Sequence, residues 1–329
     1  MVQAPLIGIA TGLVSALLFV SVSSGTLLGV MVLFFLAPMP IAIAGLGWGA
    51  TAALAAAVTG SLAIVLLATS PSPALFYALT IAAPMAAASY LLMLSRQVTS
   101  EDPDRTIVLE WYPIGRLVAY ATAWAAFLAA LALFSTGADL EALRETLRTT
   151  FDRMTTADGP LAPSMKRPLT EQEKNDFVNL MVATLPGALA TIWFIAAMIN
   201  LWLAGHATRI SGRLMRPWPD FAALSLPPAM RIVFALAVAA TFLLAGLPQL
   251  IASGFAFAIM MAYVLVGLAI VHWTTRGLTA RPAIITATYL SLIVLNPFSG
   301  LLLALVGLAE PVSPLHRRPA PDPATQDKT

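Results

Sequence analysis

Residues 177–204, FVNLMVATLPGALATIWFIAAMINLWLA, contain no charged side chain. A helix of about 20 mostly apolar residues is long enough to cross the hydrocarbon core of a bilayer. The stretch therefore predicts a membrane-spanning helix. Pro186 is expected to kink this helix, and Asn200 lies near its far end. We predict an integral membrane protein.

The same uncharged pattern recurs along the chain. We place further spans at residues 5–22, 27–46, 48–68, 73–95, 113–135, 228–248, 250–273 and 282–309. Pro38 and Pro40 lie in the second of these spans and are expected to kink it. The last span is interrupted at Asn296–Gly300, so it is either one kinked span or a broken, partly re-entrant one. The predicted fold class is all-α, a polytopic transmembrane helix bundle of about eight or nine spans with an amphipathic extramembrane helical insertion.

Composition agrees with this class. The 329 residues are 59% hydrophobic and 10% charged, against about 25% charged residues in soluble domains. The net charge of +2 comes from basic residues that lie beside the spans, so nucleic-acid binding is not implied. The absence of cysteine excludes disulfides, thiolate catalysis and cysteine-ligated metals.

Lys and Arg predict the orientation, because cytoplasmic loops are enriched in them. A cytoplasmic N-terminus puts nine of the eighteen on the cytoplasmic side: Arg96, Arg105, Arg116, Arg209, Arg213, Arg216, Arg231, Arg276 and Arg281. We therefore expect a multi-pass protein of the bacterial inner membrane with its N-terminus in the cytoplasm. An odd number of spans places Arg317 and Arg318 outside, which conflicts with the same rule and leaves the span count open.

A polar insertion interrupts the hydrophobic pattern. We expect an N-terminal five-span half (1–135), an insertion (136–176), C-terminal spans (177–309) and a disordered tail (310–329). Within the insertion, residues 139–154 have apolar residues three or four positions apart, which predicts an amphipathic helix with Asp139 as its N-cap. Thr170 and Glu173 form a capping-box pattern for the next helix. The amphipathic helix is a linker, a lid over a cavity or a docking site.

Arg209, Arg213, Arg216 and Trp218 form the candidate cytoplasmic ridge. The spacing of the three arginines puts them on one face if the helix continues past residue 204. Such a ridge either anchors the protein to anionic lipid headgroups or docks a cytoplasmic partner or phosphorylated ligand.

Gly8, Gly12 and Ala16 form a small-residue face on the first span, a candidate helix-packing or docking face. It serves internal packing or contact with another membrane protein. Ala52, Ala56 and Gly60 repeat the pattern in the third span.

The sequence contains no recognisable catalytic pattern. The chain has no G-x-S-x-G, H-E-x-x-H or Walker motif, and His206, His272 and His316 are too far apart in sequence to suggest a metal site. We expect no enzyme activity, no metal and no cofactor.

Several segments resemble a known family. These segments are Leu13–Phe19, Leu36–Ile41, Ala44–Trp48, Trp111–Pro113, Asn200–Gly205 and Arg216–Asp220. Together they resemble the YybS-like family of predicted bacterial membrane proteins, domain-of-unknown-function family 2232, and within it the alphaproteobacterial branch. That family is loosely similar to the substrate-binding S-components of energy-coupling-factor transporters. The resemblance implies that Gly8, Gly12 and Ala16 dock a coupling subunit, although S-components usually have about six spans and lack the insertion.

Two functional hypotheses follow. The first is a protein that binds or helps translocate a small solute. Its candidate cavity residues are polar groups expected at membrane depth, namely Asn179, Asn200, Gln249, Tyr263, Tyr289 and Asn296. The second is a non-catalytic structural or assembly protein of the cell envelope, which a predominantly apolar lining at the cavity positions would favour. The expected partners are the lipid bilayer, a small solute and another membrane protein.

Overall fold

The uncharged stretches form α-helices in a computed structural model, which describes residues 3–21, 27–68, 70–99, 107–135, 139–156, 167 and 169–310. The first helices are α1 (Gln3–Val20), α2 (Leu27–Leu36), α3 (Met39–Trp48), α4 (Ala50–Leu67), α5 (Ser72–Tyr77) and α6 (Ala83–Met93). A π-helical segment, Ala78–Ala82, joins α5 to α6. The later helices are α7 (Ile114–Ser135), α8 (Leu140–Thr155), α9 (Glu171–Ile210), α10 (Ala229–Leu243), α11 (Gly246–Thr274), α12 (Arg281–Val294) and α13 (Phe298–Ala309).

Six helices of the described ranges are long and apolar enough to cross a membrane. They are α1, α4, the continuous run Ser72–Met93, α7, α9 and α11. Val32–Trp48, α10, α12 and α13 are apolar but shorter. The helical membrane class is therefore confirmed, and the higher count of eight or nine spans stays a prediction.

The all-α prediction missed one element, a β-hairpin between α6 and α7. Strand β1 (Ser95–Thr99) pairs antiparallel with β2 (Ile107–Trp111), and the Arg96 side chain forms a 2.7 Å ion pair with Glu110 opposite it. Five-residue strands are too short to stand out in a search for spans of about 20 residues. The tail 310–329 lies outside the described residues apart from Glu310.

The amphipathic helix and the two helix caps predicted within the polar insertion are present in the structure. Asp139 accepts a hydrogen bond from the Glu141 amide at the start of α8, and Thr170 and Glu173 form the capping box of α9. The apolar stripe of α8 buries Leu143 and Phe151. The Phe151 ring lies 4.5 Å, centroid to centroid, from that of Phe177 on α9. Helix α8 thus packs on the first turns of α9.

The helices form two compact units. Unit 1 contains residues up to 219 together with 226–259, and unit 2 contains residues 220–225 together with those from 260 onward. The core of unit 1 is built around α3, which packs against α1, α4, α6 and α9. In unit 2, α11 and α13 run antiparallel, with Gly267 against the Leu303 backbone and Gly307 against that of Tyr263.

Large apolar side chains cover the outside of the helices. Leu66, Phe242 and Leu243 are each more than four-fifths exposed. Exposing such apolar surfaces to water costs free energy, whereas contact with lipid tails does not. The exposed faces are therefore those expected of helices surrounded by a bilayer.

Candidate functional site

The best-defined polar site of unit 1 surrounds the break between α2 and α3. Pro38 and Pro40 have no amide hydrogen to donate to a preceding helical carbonyl, and the helix is interrupted at Ala37 and Pro38. Both interrupting residues are buried. Backbone carbonyls near a buried break need partners from elsewhere in the protein.

One of these carbonyls accepts a hydrogen bond from a serine hydroxyl, which in turn accepts one from a tyrosine hydroxyl. The Ser15 hydroxyl on α1 donates to the Ala37 carbonyl over 2.6 Å, and the Tyr77 hydroxyl on α5 donates to Ser15 Oγ over 2.7 Å. Ser15 and Tyr77 are fully buried. This chain of hydrogen bonds connects α1, the α2–α3 break and α5 inside the core.

The Asn200 side chain on α9 donates a hydrogen bond to another carbonyl near the break. Its Nδ2 donates to the Phe35 carbonyl over 2.7 Å and to the Ala196 carbonyl over 2.8 Å. The side chain is 1% exposed, and its Oδ1 is buried with no hydrogen-bond partner. An unpaired buried carbonyl oxygen costs free energy, about 1–3 kcal/mol, so this oxygen is a ready acceptor for an incoming donor.

A small cavity lies beside this asparagine. Its volume is about 30 Å³. The lining is predominantly apolar and includes the rings of Tyr120, Trp124 and Trp193. Pro38 of the break, Ala196 and Leu201 of α9 and Thr80 of the π-helical segment also line it. Asn200 is not a lining residue, but it follows Ala196 by one helical turn and directly precedes Leu201.

The π-helical segment is anchored next to the same cavity. Trp124 on α7 donates its indole N–H to the Leu79 carbonyl over 3.0 Å. Single π-helical turns inside α-helices occur frequently at functional sites. The cavity therefore lies between two irregular backbone segments, the π-helical turn and the α2–α3 break.

The other predicted cavity residues of unit 1 lie elsewhere. Asn179 is exposed near the start of α9, and 21 residues at 1.5 Å each put it roughly 30 Å from Asn200. Gln249 lies in the first turn of α11, where its neighbour Leu250 shares a hydrophobic cluster with Val178. Asn179 and Gln249 thus belong to one end of unit 1, and the structure does not bring Asn179 to Asn200.

Unit 2 holds the remaining three candidates. Tyr263 is buried on α11, and Asn296 is exposed between α12 and α13. Tyr289 is exposed on α12, and its hydroxyl lies 3.3 Å from His272 Nε2.

The arginines of the predicted ridge do not lie together on one face of a helix. Helix α9 ends at Ile210, and Gly212 has a φ of +66°, which turns the chain before Arg213. Each guanidinium group instead lies over a tryptophan ring. The Cζ-to-centroid distances are 5.5 Å for Arg209 and Trp218, 5.2 Å for Arg213 and Trp48, and 5.9 Å for Arg216 and Trp111. We call these six residues the Arg–Trp end.

The three arginines lie at helix C-termini. Arg216 Nη1 donates over 2.9 Å to the Leu92 carbonyl in the last turn of α6, and burial lowers the pKa of Arg216. Arg213 contacts the last residue of α3, and Arg209 lies in the last turn of α9. Cations at these positions interact favourably with the partial negative charge of the helix ends.

The small-residue face of α1 is covered by α4. A Cβ added at Gly8 would overlap the backbone of Ala52, and one at Gly12 would overlap that of Ala56. Ala16 is 2% exposed. A partner could reach this face only by displacing α4.

Sequence reasoning missed Ser15, Tyr77, Thr80 and Trp124 as parts of the site. Each is one polar group in an apolar stretch, and the carbonyls that accept hydrogen bonds from Ser15 and Trp124 belong to segments distant in the sequence. The signal available was that polar groups inside spans must find partners. Among the described residues, no group of three or more His, Cys, Asp or Glu side chains is placed to hold a metal ion.

Comparison with known protein families gives a match that covers most of the chain. No curated protein and no solved structure matches the chain. The family model described as predicted membrane protein (DUF2232) matches residues 13–310, which is most of the chain and includes both irregular segments, Asn200 and the Arg–Trp end. The protein therefore belongs to the DUF2232 family of predicted membrane proteins.

Proposed function

We propose that the protein binds a small solute in unit 1 and helps it to cross the membrane, with Asn200 Oδ1 as the acceptor that orients the solute. The observation that carries this proposal is the unpartnered amide oxygen of Asn200, a 1% exposed residue one helical turn after Ala196, which lines the aromatic cavity. Interrupted helices with polar groups at their breaks are a common construction of solute sites in membrane proteins.

The chemistry of the site favours a solute with an apolar or aromatic body and one hydrogen-bond donor. The ring faces of Tyr120, Trp124 and Trp193 suit such a body, and Asn200 Oδ1 suits the donor. The present volume of about 30 Å³ matches a single water molecule. Binding therefore requires the α2–α3 break or the π-helical segment to move and widen the cavity.

The number of passes supports the S-component analogy. Between residues 3 and 210, five passes come from α1, α4, the α5–α6 run, α7 and α9. The broken α2–α3 pair, counted as one pass, makes six. Six is the usual number in S-components. Counting α11, α10 and the α12–α13 pair as passes as well adds three, which gives nine passes for the described residues. We place the N-terminus in the cytoplasm of a bacterial inner membrane on the distribution of Lys and Arg.

A second function, assembly of the cell envelope without a ligand or catalysis, is favoured by a different observation. The cavity lining is predominantly apolar. A cavity of only about 30 Å³ with such a lining is typical of internal packing and supplies few groups that would recognise a solute.

Native mass spectrometry of the gently extracted protein distinguishes the two functions. We expect a stoichiometric small-molecule adduct on the wild type and about tenfold less of it on Asn200→Leu, because one hydrogen bond is worth on the order of 1.4 kcal/mol. Tyr77→Phe is the matched control. It also removes a buried hydrogen bond near the break but leaves Asn200 Oδ1 in place, so the adduct should persist.

Melting temperatures of both variants check that they fold. Equal adduct on wild type and Asn200→Leu would contradict the role of Asn200. A stoichiometric protein partner without any small molecule would support the assembly function instead.

A further inference from the structure

We propose that the Arg–Trp end and the groove between α4 and α6 together bind one anionic phospholipid, with its phosphate on the arginines and an acyl chain in the groove. This site is separate from the solute cavity and does not depend on the solute-binding proposal.

The first support is the charge at the Arg–Trp end. Within the ranges that the structure describes, no Asp or Glu forms an ion pair with Arg209, Arg213 or Arg216. The three helix C-termini each contribute roughly −0.5 of a charge, so about half of the positive charge stays uncompensated. An anion is the chemistry that would balance it.

The second support is the number of free donors. A guanidinium group has five N–H donors in a planar fork that matches phosphate geometry. Arg216 uses one donor for the Leu92 carbonyl, and the side chains of Arg209 and Arg213 donate no hydrogen bond to the described residues. The tryptophan rings hold the guanidinium groups by cation–π contact without using these donors.

The third support is an apolar groove that begins near the same end. Its volume is about 590 Å³. The lining comes from α4, between Ala50 and Leu62, and from the α5–α6 run, between Ala78 and Tyr90. Ala50 follows Trp48 by two residues, and Tyr90 precedes Leu92 by two, so the groove starts beside the contacts of Arg213 and Arg216.

The length and the lining of the groove suit a lipid chain. The groove runs for about 18 Å along α4, from Ala50 to Leu62, and its lining is almost entirely apolar. An apolar chain with an acidic group at one end fits both the groove and the arginines.

The test measures retention of lipid by the purified full-length protein in native mass spectrometry. Phosphatidylglycerol and phosphatidylcholine with identical acyl chains are the probes. We expect the wild type to retain phosphatidylglycerol about tenfold more than phosphatidylcholine, and the double variant Arg213→Gln/Arg216→Gln to lose this preference. Because Arg216 also contacts the end of α6, Arg213→Gln alone is the second variant and should reduce the preference several-fold.

Two further variants separate the parts of the site. Arg116→Gln removes an exposed charge with no tryptophan contact in the described chain and should leave the preference unchanged. Ala87→Phe fills the groove without touching the arginines and should lower retention of both lipids. Equal retention of the two lipids by the wild type, or an equal loss with Arg116→Gln, would overturn the proposal. Displacement of the lipid by millimolar inorganic phosphate would overturn the lipid as the ligand, since a free phosphate would then suffice.

Discussion

Ser15 shows how one residue stabilises the core of a membrane protein. Its hydroxyl donates to the Ala37 carbonyl and accepts from Tyr77, so two buried groups depend on it. In the apolar interior, neither group can turn to water for another partner. A single serine in a run of apolar residues therefore joins three segments of the chain.

Ser15→Ala is predicted to destabilise the protein more than Tyr77→Phe. The serine variant leaves the Ala37 carbonyl and the Tyr77 hydroxyl unpaired, at about 1–3 kcal/mol for each group. The tyrosine variant removes its own hydroxyl and leaves the bond from Ser15 to Ala37 intact, at about 1 kcal/mol. Thermal unfolding in detergent or nanodiscs measures the order, and equal or reversed losses would contradict the hydrogen-bond chain.

Helix α1 can approach α4 closely because glycine has no side chain at their crossing. Gly8 and Gly12 lie against the backbone carbonyls of Ala52 and Ala56. In lipid, where apolar surface alone does not drive helices together, such close packing supplies the attraction. The nearest neighbour of each glycine is a backbone oxygen, which cannot turn aside as a flexible side chain could.

Gly12→Ala is expected to lower the free energy of unfolding by about 1–3 kcal/mol, through overpacking of the α1–α4 crossing. Gly254→Ala is the matched control in unit 1, since a Cβ there would lie 3.4 Å from Pro186 Cβ, an ordinary contact. The control should unfold like the wild type or slightly later, because alanine favours helix over glycine. A Gly12→Ala protein as stable as the control would show that α1 and α4 are further apart in the membrane.

At the scale of the whole molecule, the hairpin and α8 lie at opposite ends of α7 in the chain. The hairpin leads into the start of α7 at Ile114, and α8 follows its end at Ser135. A membrane-spanning α7 separates them by one bilayer, with the hairpin on the cytoplasmic side if the N-terminus is cytoplasmic.

Single-cysteine labelling of intact cells tests this orientation, and the chain supplies a cysteine-free background. Gln97 and Glu145 are both exposed, on β1 and on α8. A membrane-impermeant thiol reagent should label Glu145→Cys in intact cells and Gln97→Cys only after the membrane is permeabilised. The reverse pattern would invert the orientation, and labelling of both in intact cells would contradict a membrane-spanning α7.

The sequence alone predicted the positions of several long helices and two of the helix caps. Hydropathy placed α4, α7 and α11 within a few residues of their ends, and residue types predicted the caps at Asp139 and Thr170. These features depend on neighbours in the chain, which the sequence displays directly. The hairpin was missed because its pairing joins residues 95–99 to 107–111 through weak local signals.

The sequence by itself determined the membrane class, the positions of the long helices and their caps, because these follow from local hydropathy and local hydrogen bonding. Only the tertiary structure decided which polar residues meet. It brought Ser15, Tyr77 and Asn200 to the α2–α3 break, kept Asn179 away from Asn200, and covered Gly8 and Gly12 with α4. The physical reason is that a buried carbonyl takes its partner from whichever helix packs beside it, and that neighbour is distant in the sequence.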